Sequence, residues 1–132
     1  MTPHSVLFRY LDGLPVSDEE VKILVDYAKE KFNNKPCILY RWSSKNPHDD
    51  HTMNSFSSCA KTARSVGSYF QKTNDGHTYE VEAVPVLSID NIRFMIHKFC
   101  DYEPYKKILL RILKQEGEYL VLNSDIISMR II

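Results

Sequence analysis

The segment after Ser17 alternates apolar and polar residues at helical spacing. Ser17 is a favourable helix cap, and Glu20, three residues later, completes a capping box. The apolar stripe that follows predicts an amphipathic helix that ends near Asn33–Asn34, before Pro36. Residues 1–16 show no clear period and are predicted to be a mixed segment with turns.

Strand patterns are more frequent in the middle of the chain. Residues 37–42 form a short apolar run that predicts a buried strand, and a polar loop follows this strand as far as Asn54. Residues 55–58 predict a brief extended segment, and residues 61–71 return to helical spacing. Alternation of Tyr79, Val81 and Ala83 with polar residues predicts a half-buried strand over residues 78–87, with Pro85 near its far end.

The last third of the chain predicts further elements of both kinds. Residues 91–100 fit either a strand or a short helix, whereas residues 104–114 have the apolar spacing of a helix. Residues 118–122 and 126–132 predict two strands that are separated by a short turn. Because helices and strands do not alternate regularly, we expect a single α+β domain over residues 1–132.

Composition and charge narrow the class of protein. The chain has 132 residues, and its 17 basic residues balance its 17 acidic residues, so no overall field favours nucleic acid or a membrane surface. Its 3 cysteines, without a Cys-x-x-Cys pair, do not predict a disulfide framework or a zinc site. We find no signal peptide and no membrane span, and expect a cytoplasmic protein, in its own cell or in a host. Abundant Lys, Asn, Ile, Ser and Tyr favour an AT-rich genome, such as that of a phage or virus.

Three polar segments stand out when they are taken together. The first is Leu39-Tyr40-Arg41, whose arginine lies near the end of the strand predicted at residues 37–42. The second is Phe56-x-Ser58, which leads into the predicted helix that ends near Phe70. The third is the pair Glu116-x-Glu118, which precedes a strand, a turn and another strand. In this order, and over most of the chain from Ser17 onward, the segments resemble the arginine, serine and glutamate motifs of the mono-ADP-ribosyltransferases.

The resemblance implies both a fold and an activity. The expected core has two packed, mainly antiparallel small sheets with flanking helices and a cleft for NAD. The expected reaction moves ADP-ribose from NAD to a macromolecular acceptor and releases nicotinamide. In this family a Glu-x-Glu pair often accompanies the modification of arginine, which suggests a protein of the cell or of a host as acceptor. A nucleic-acid acceptor is left open.

The resemblance also assigns roles that suit the chemistry of each residue. Arg41 would clamp the pyrophosphate of NAD, and Ser58 would hold the ribose or brace a glutamate. Glu118 would stabilise the cationic ribose in the transition state, and Glu116 would orient or deprotonate the acceptor. Residues two apart on a strand share a face, so both glutamates are expected in one cleft, while Gly117 points away or lets the loop bend. The further expected site residues are Tyr40, Ser57 and Phe70 on the NAD side, and Tyr102 and Tyr105 on the acceptor side.

The chain departs from the family pattern at the serine and arginine motifs. Ala60 stands where a second serine is common, and an alternative alignment makes Ser57 the key serine. Trp42 stands where a glycine often follows the arginine. These departures keep open a second hypothesis, in which the domain has lost catalysis and binds or inhibits a partner protein.

A third hypothesis starts from the run His48-Asp49-Asp50-His51. Two imidazoles and two carboxylates could bind a divalent cation, as in a metal-dependent nuclease. Adjacent residues do not easily face one ion, and the run lies in a predicted polar loop. We therefore expect no metal in this protein.

Overall fold

Ten regular elements make up the computed structural model, which describes residues 1–71 and 75–132, apart from the side chains of residues 70 and 71. Both helices and strands are present, so the predicted α+β class is confirmed. The elements are α1 (Pro3–Leu11), α2 (Asp18–Lys31), β1 (Cys37–Ser43), β2 (Met53–Ser57), α3 (Ala60–Gln71), β3 (His77–Ala83), α4 (Ile89–Phe99), α5 (Glu103–Glu116), β4 (Glu118–Leu122) and β5 (Ile126–Ile131). Short 3-10 turns occupy Pro47–Asp49 and Asn123–Asp125.

Helix α1 lies in the segment that was predicted to be mixed. The Thr2 hydroxyl accepts a hydrogen bond from the Ser5 N–H, and the Ser5 hydroxyl accepts one from the Thr2 N–H. Pro3 occupies the first turn of the helix. Val6 and Leu7 are fully buried against the other helices. The prediction for residues 1–16 was therefore incomplete, because the turn signals after the helix obscured its short apolar stripe.

Local signals were reliable for the other helices. Helix α2 has the predicted capping box between Ser17 and Glu20. The ambiguous segment at residues 91–100 lies in helix α4, which begins with a capping box between Ser88 and Asn91. Its buried residues Ile92, Met95 and Ile96 recur every three or four positions, as in a helix that packs on one face.

The five strands form one sheet in the order β4-β2-β1-β3-β5, and every neighbouring pair is antiparallel. Strands β1 and β3 pair along their full length, from Cys37↔Ala83 to Ser43↔His77. In contrast, β1 and β2 pair only at Tyr40↔Ser57. This single pair joins a two-stranded half, β4-β2, to a three-stranded half, β1-β3-β5.

The sheet is folded upon itself. Strands β4 and β5 lie at opposite edges, yet only the 3 residues Asn123–Asp125 connect them. A flat sheet would separate these edges by about 19 Å, whereas the connection spans at most about 14 Å. A buried cluster from β1, β2, β3 and β4 fills the fold: Leu39, Phe56, Val81, Ala83 and Val121. The expected two separate sheets are thus corrected to one sheet with two packed halves, because the Tyr40↔Ser57 pair keeps the ladder continuous.

The helices form two groups around this sheet. Helices α1, α2, α4 and α5 share the larger apolar core with Met53 of β2 and Leu120 of β4. Helix α3 packs on β1, next to the junction of the two halves of the sheet. No helix in residues 1–71 or 75–132 is both long enough and apolar enough to cross a lipid bilayer.

Candidate active site

A cleft opens at the junction where β1 and β2 separate. Beyond Tyr40↔Ser57 the ladder between these strands stops, and the Arg41 side chain crosses the gap. Its Nη1 donates to the carbonyl oxygen of Ser55 at 2.9 Å. The cleft has a cavity volume of about 50 Å³. It is lined by Tyr40, Arg41 and Trp42 of β1, Ser55, Phe56 and Ser57 of β2, Ala63, Val66 and Gly67 of α3, and Glu116 and Glu118.

The order of the strands brings the three polar segments of the sequence together. Strands β4, β2 and β1 are consecutive in the sheet, and Ser57 lies opposite both Glu118 and Tyr40. Directly opposed residues in antiparallel strands point to the same face. Glu118, Ser57 and Tyr40 therefore form a row across three strands, and Arg41 reaches the same cleft from the gap.

Glu118 is a buried carboxyl group in this cleft. It is the first residue of β4, is only 7% exposed, and lines the cleft together with Ser55 and Glu116. Burial, together with the neighbouring Glu116 carboxyl group, raises the pKa of Glu118 to about 8. The Ser55 hydroxyl and the positive charge of Arg41 lower this pKa but do not offset burial. Oε2 of Glu118 has no hydrogen-bond partner within the described residues.

Glu116 reaches the cleft by a different route from the one predicted. It is the last residue of α5, and Gly117 ends the helix in the left-handed conformation, with φ of 56°. The two glutamates line one cleft as expected, but alternation along a strand is not the reason, since the bend at Gly117 brings them together. A Cβ at Gly117 would lie 3.3 Å from Ser57 Oγ, so this position favours glycine in two ways. Burial raises the pKa of Glu116 as well.

Arg41 is held by an ion pair at the edge of the cleft. Its Nη2 lies 3.2 Å from Oδ2 of Asp50, and the two side chains are 20% and 8% exposed, respectively. The other carboxyl oxygen of Asp50 accepts the His51 N–H. The Nε atom of Arg41 is buried and has no partner among the residues described. The guanidinium group thus retains an unused donor in the cleft.

The structure distinguishes between the two candidate serines. Ser57 is buried, lines the cleft, and its Oγ accepts the Cys59 N–H at 3.2 Å. Ser58 is exposed and is not part of the cleft lining, because β2 ends at Ser57 and the chain turns there into α3. The alternative alignment, with Ser57 as the key serine, fits this geometry, and the assignment to Ser58 does not.

Tyr40 is the other residue that was expected to contact NAD and whose placement is described. It lines the cleft, and Glu80 on the neighbouring strand raises the pKa of its hydroxyl, as does burial. Glu80 itself accepts from Arg130 Nε at 2.7 Å. The side chain of Phe70 lies outside the described residues, although its backbone belongs to α3.

Tyr102 and Tyr105 lie away from the cleft. Tyr102 is 68% exposed just before α5, and the Tyr105 hydroxyl donates to Asp12 at 2.6 Å. Along α5, Tyr105 is separated from Glu116 by about 16 Å and Tyr102 by more. The acceptor contact that was expected of these tyrosines does not fit their placement.

The run His48-Asp49-Asp50-His51 does not converge on one point. Asp50 turns inward to Arg41, whereas the His51 ring is 86% exposed and His48 and Asp49 face outward. Over residues 1–71 and 75–132 we find no group of three or more His, Cys, Asp or Glu side chains that could hold a metal ion. The geometry therefore does not support the nuclease hypothesis.

Two residues beside the site, Tyr10 and Ser55, were given no role from the sequence, and Asp50 was considered only as a metal ligand. Tyr10 of α1 places its Oη 2.9 Å from Ser55 Oγ, and Asp50 holds Arg41. Ser55 had a usable signal, since it lies two residues before Ser57 and shares its face. The contacts of Tyr10 and Asp50 had no local signal, because they join separate segments of the chain.

One cleft thus contains the anchored guanidinium group of Arg41, the buried hydroxyl of Ser57, and the neighbouring carboxyl groups of Glu116 and Glu118. Such a set can bind an anionic ligand and stabilise positive charge that develops beside it. Neither protein-family models, nor curated proteins, nor solved structures match this chain.

Proposed function

We propose that this protein transfers ADP-ribose from NAD to a macromolecular acceptor and releases nicotinamide. One observation carries the proposal: Arg41, Ser57 and Glu118, from three distant segments, line a single cleft. Oε2 of the buried Glu118 carboxyl group has no partner among residues 1–71 and 75–132, as expected of a group that binds a ligand hydroxyl. NAD offers both a pyrophosphate for a guanidinium group and ribose hydroxyls for a carboxylate.

The reaction follows from these groups. The bond between ribose C1′ and the nicotinamide nitrogen breaks, and its electron pair leaves with the now neutral nicotinamide. Positive charge develops on the ribose, where the Glu118 carboxylate stabilises it through a ribose hydroxyl. The acceptor then attacks C1′ and loses its proton, which Glu116 is positioned to receive. Arg41 binds the pyrophosphate, and Ser57 orients the ribose between the two.

The central test is the substitution Glu118→Gln, which keeps the shape of the side chain and removes its charge. Nicotinamide release from NAD should fall by about 10²–10³-fold, the usual loss when one preorganised electrostatic group is removed. Both nicotinamide release and transfer of label from NAD into a cell lysate are to be measured. Glu82→Gln, the same change on β3 outside the cleft, is the matched control and should retain activity. Full activity of the Glu118→Gln variant would contradict the proposal.

The acceptor is proposed to be a protein of the cell or of a host, modified on arginine. Agmatine, a small guanidine compound, is a direct probe of this preference. Digestion of labelled lysate with protease or nuclease separates a protein acceptor from a nucleic acid. We propose that the reaction occurs in the cytoplasm, because NAD is present there and the exposed free thiol of Cys59 would stay reduced.

A second candidate function is a domain that binds a partner protein without catalysis. The small cavity volume of about 50 Å³ and the ion pair that occupies Arg41 favour it. Calorimetry with NAD distinguishes the two candidates. A catalytically inactive module with a closed cleft gives no heat of binding, whereas the transferase binds NAD and loses this binding in an Arg41→Ala variant.

A further inference from the structure

A hydroxyl group of helix α1 contacts a residue that lines the cleft. Tyr10 lies in the last turn of this helix, and Tyr10 Oη is 2.9 Å from Ser55 Oγ on β2. Ser55 and Glu118 line the same cleft from the adjacent strands β2 and β4, and the Ser55 hydroxyl lowers the pKa of the Glu118 carboxyl. Three side chains from α1, β2 and β4 thus form one chain of polar groups, which ends at the carboxyl group proposed to act on NAD.

The direction of this chain follows from what each group can donate. When Glu118 is ionised, its carboxylate only accepts, so a hydrogen bond between the two groups uses the single proton of the Ser55 hydroxyl. Ser55 Oγ then accepts the proton of Tyr10. Burial and, to a smaller extent, the charge of Glu118 raise the pKa of Tyr10 to about 12, so the phenol remains a donor at physiological pH.

We propose that Tyr10 is a positioning residue, which acts through Ser55 to hold the Glu118 carboxyl and leave its Oε2 free for a substrate hydroxyl. Ser55 lies beside Glu118 in the cleft, and Oε2 of Glu118 has no partner within the described part of the chain. The catalytic consequence rests on the proposed function, but the effect on the ligand-free protein does not.

Several charged groups act on the same chain and must be considered in any test. Tyr10 faces the charges of Glu118, Arg41 and Asp50. Glu118 additionally faces Glu116. A change of any of these charges would move the Glu118 pKa by itself, so the test must remove a hydroxyl group and leave all charges in place.

The test uses Tyr10→Phe, Ser55→Ala and the double variant, with the Glu118 pKa followed by NMR of ¹³C-labelled glutamate. Without its donor, Ser55 holds the carboxylate less firmly, so Tyr10→Phe should raise the Glu118 pKa by about half a unit or more. Ser55→Ala should raise it further. The double variant should equal Ser55→Ala alone, because Tyr10 acts only through Ser55.

The chain offers a matched control in Tyr105→Phe. The Tyr105 hydroxyl donates to Asp12, at the end of α1, and its ring packs against Phe8 of that helix. This variant removes the same atom next to the same helix and should leave the Glu118 pKa unchanged. An equal rise in the Tyr105→Phe variant would show that the effect is only a loosening of α1 and would overturn the proposal.

The remaining outcomes are also decisive. An unchanged Glu118 pKa in Tyr10→Phe, or additive shifts in the double variant, overturns the positioning role. If Tyr10→Phe fails to fold, an unchanged Glu118 pKa in Ser55→Ala has the same meaning. Coupled shifts together with an absence of NAD turnover support the positioning role and reject the proposed function. With turnover, Tyr10→Phe should lower kcat about tenfold with little change in KM.

Discussion

Glu118 destabilises the folded protein at neutral and alkaline pH. Its pKa is raised to about 8 by burial and by Glu116, whereas an unfolded glutamate titrates near pH 4.3, roughly its unperturbed value. Between these values the unfolded state has released the proton and the folded state retains it. The contribution of the Glu118 proton to the free energy of unfolding is therefore fully present below the unfolded-state pKa. It is lost as the pH rises toward the folded-state pKa.

The variant Glu118→Gln should consequently be more stable than the natural protein at pH 8.5, by several degrees in Tm, and similar to it at pH 4.5. The reason is that glutamine occupies the same buried space without an ionisation to suppress. Thermal unfolding at the two pH values measures the effect, with Glu82→Gln as the control for removal of one carboxyl group. If the Glu118→Gln variant lost more stability relative to the natural protein at pH 8.5 than at pH 4.5, the raised pKa of Glu118 would be contradicted.

The same titration should appear in catalysis. Stabilisation of a cationic ribose requires the Glu118 carboxylate, so kcat/KM for nicotinamide release should rise with pH, with a midpoint near 8. Glu116→Gln removes the charge that helps to raise the Glu118 pKa, so it should move this midpoint to lower pH. Rates measured from pH 5.5 to 9.5 test both statements. If the pH midpoint of kcat/KM were the same in the Glu116→Gln variant, the charge of Glu116 would not be a cause of the raised Glu118 pKa.

At the scale of elements, the contact between α3 and β1 determines the width of the cleft. Gly67 lies against Trp42 so closely that a Cβ would be 2.6 Å from the Trp42 carbonyl oxygen and 2.8 Å from its Cβ. Both residues line the cleft. Because backbone atoms are involved, a larger residue at position 67 must displace the helix.

The variant Gly67→Ala should destabilise the protein by about 1–3 kcal/mol, the usual effect of overpacking. An alanine in a helix is normally more favourable than glycine by about 1 kcal/mol, so the sign of the effect identifies the close contact. Urea unfolding measures it, and Ser65→Ala on the exposed side of α3 is the control. A stabilised Gly67→Ala variant would mean that α3 can move from β1 at no cost.

Most elements could be predicted because their signals are local. The capping box at Ser17 and Glu20 and the apolar run at residues 37–42 correspond closely to α2 and β1. The Glu116-x-Glu118 pair was recognised as a unit but was assigned to one strand, since a glycine between two polar residues fits a strand as well as a helix end. Only the packing of α5 against its neighbours decides that Gly117 is the end of a helix.

At the scale of the whole molecule, the short connection Asn123–Asp125 has the largest effect. It joins the two edges of the sheet and thereby folds the β4-β2 half over the β1-β3-β5 half. The ladder between β1 and β2 reduces to one residue pair, and the cleft opens beside that pair. The position of the site is therefore a consequence of chain connectivity, since the bend and the cleft share the same junction.

The amino-acid order by itself determined the class of the domain, most of its helices and strands, and the three polar segments, because caps and periodicity act over a few residues. The tertiary structure decided that Ser57 rather than Ser58 enters the cleft, that Tyr10 contacts Ser55, and that Asp50 holds Arg41. It also decided the protonation of Glu118, since burial and the approach of distant charges arise only when separate strands and helices pack together.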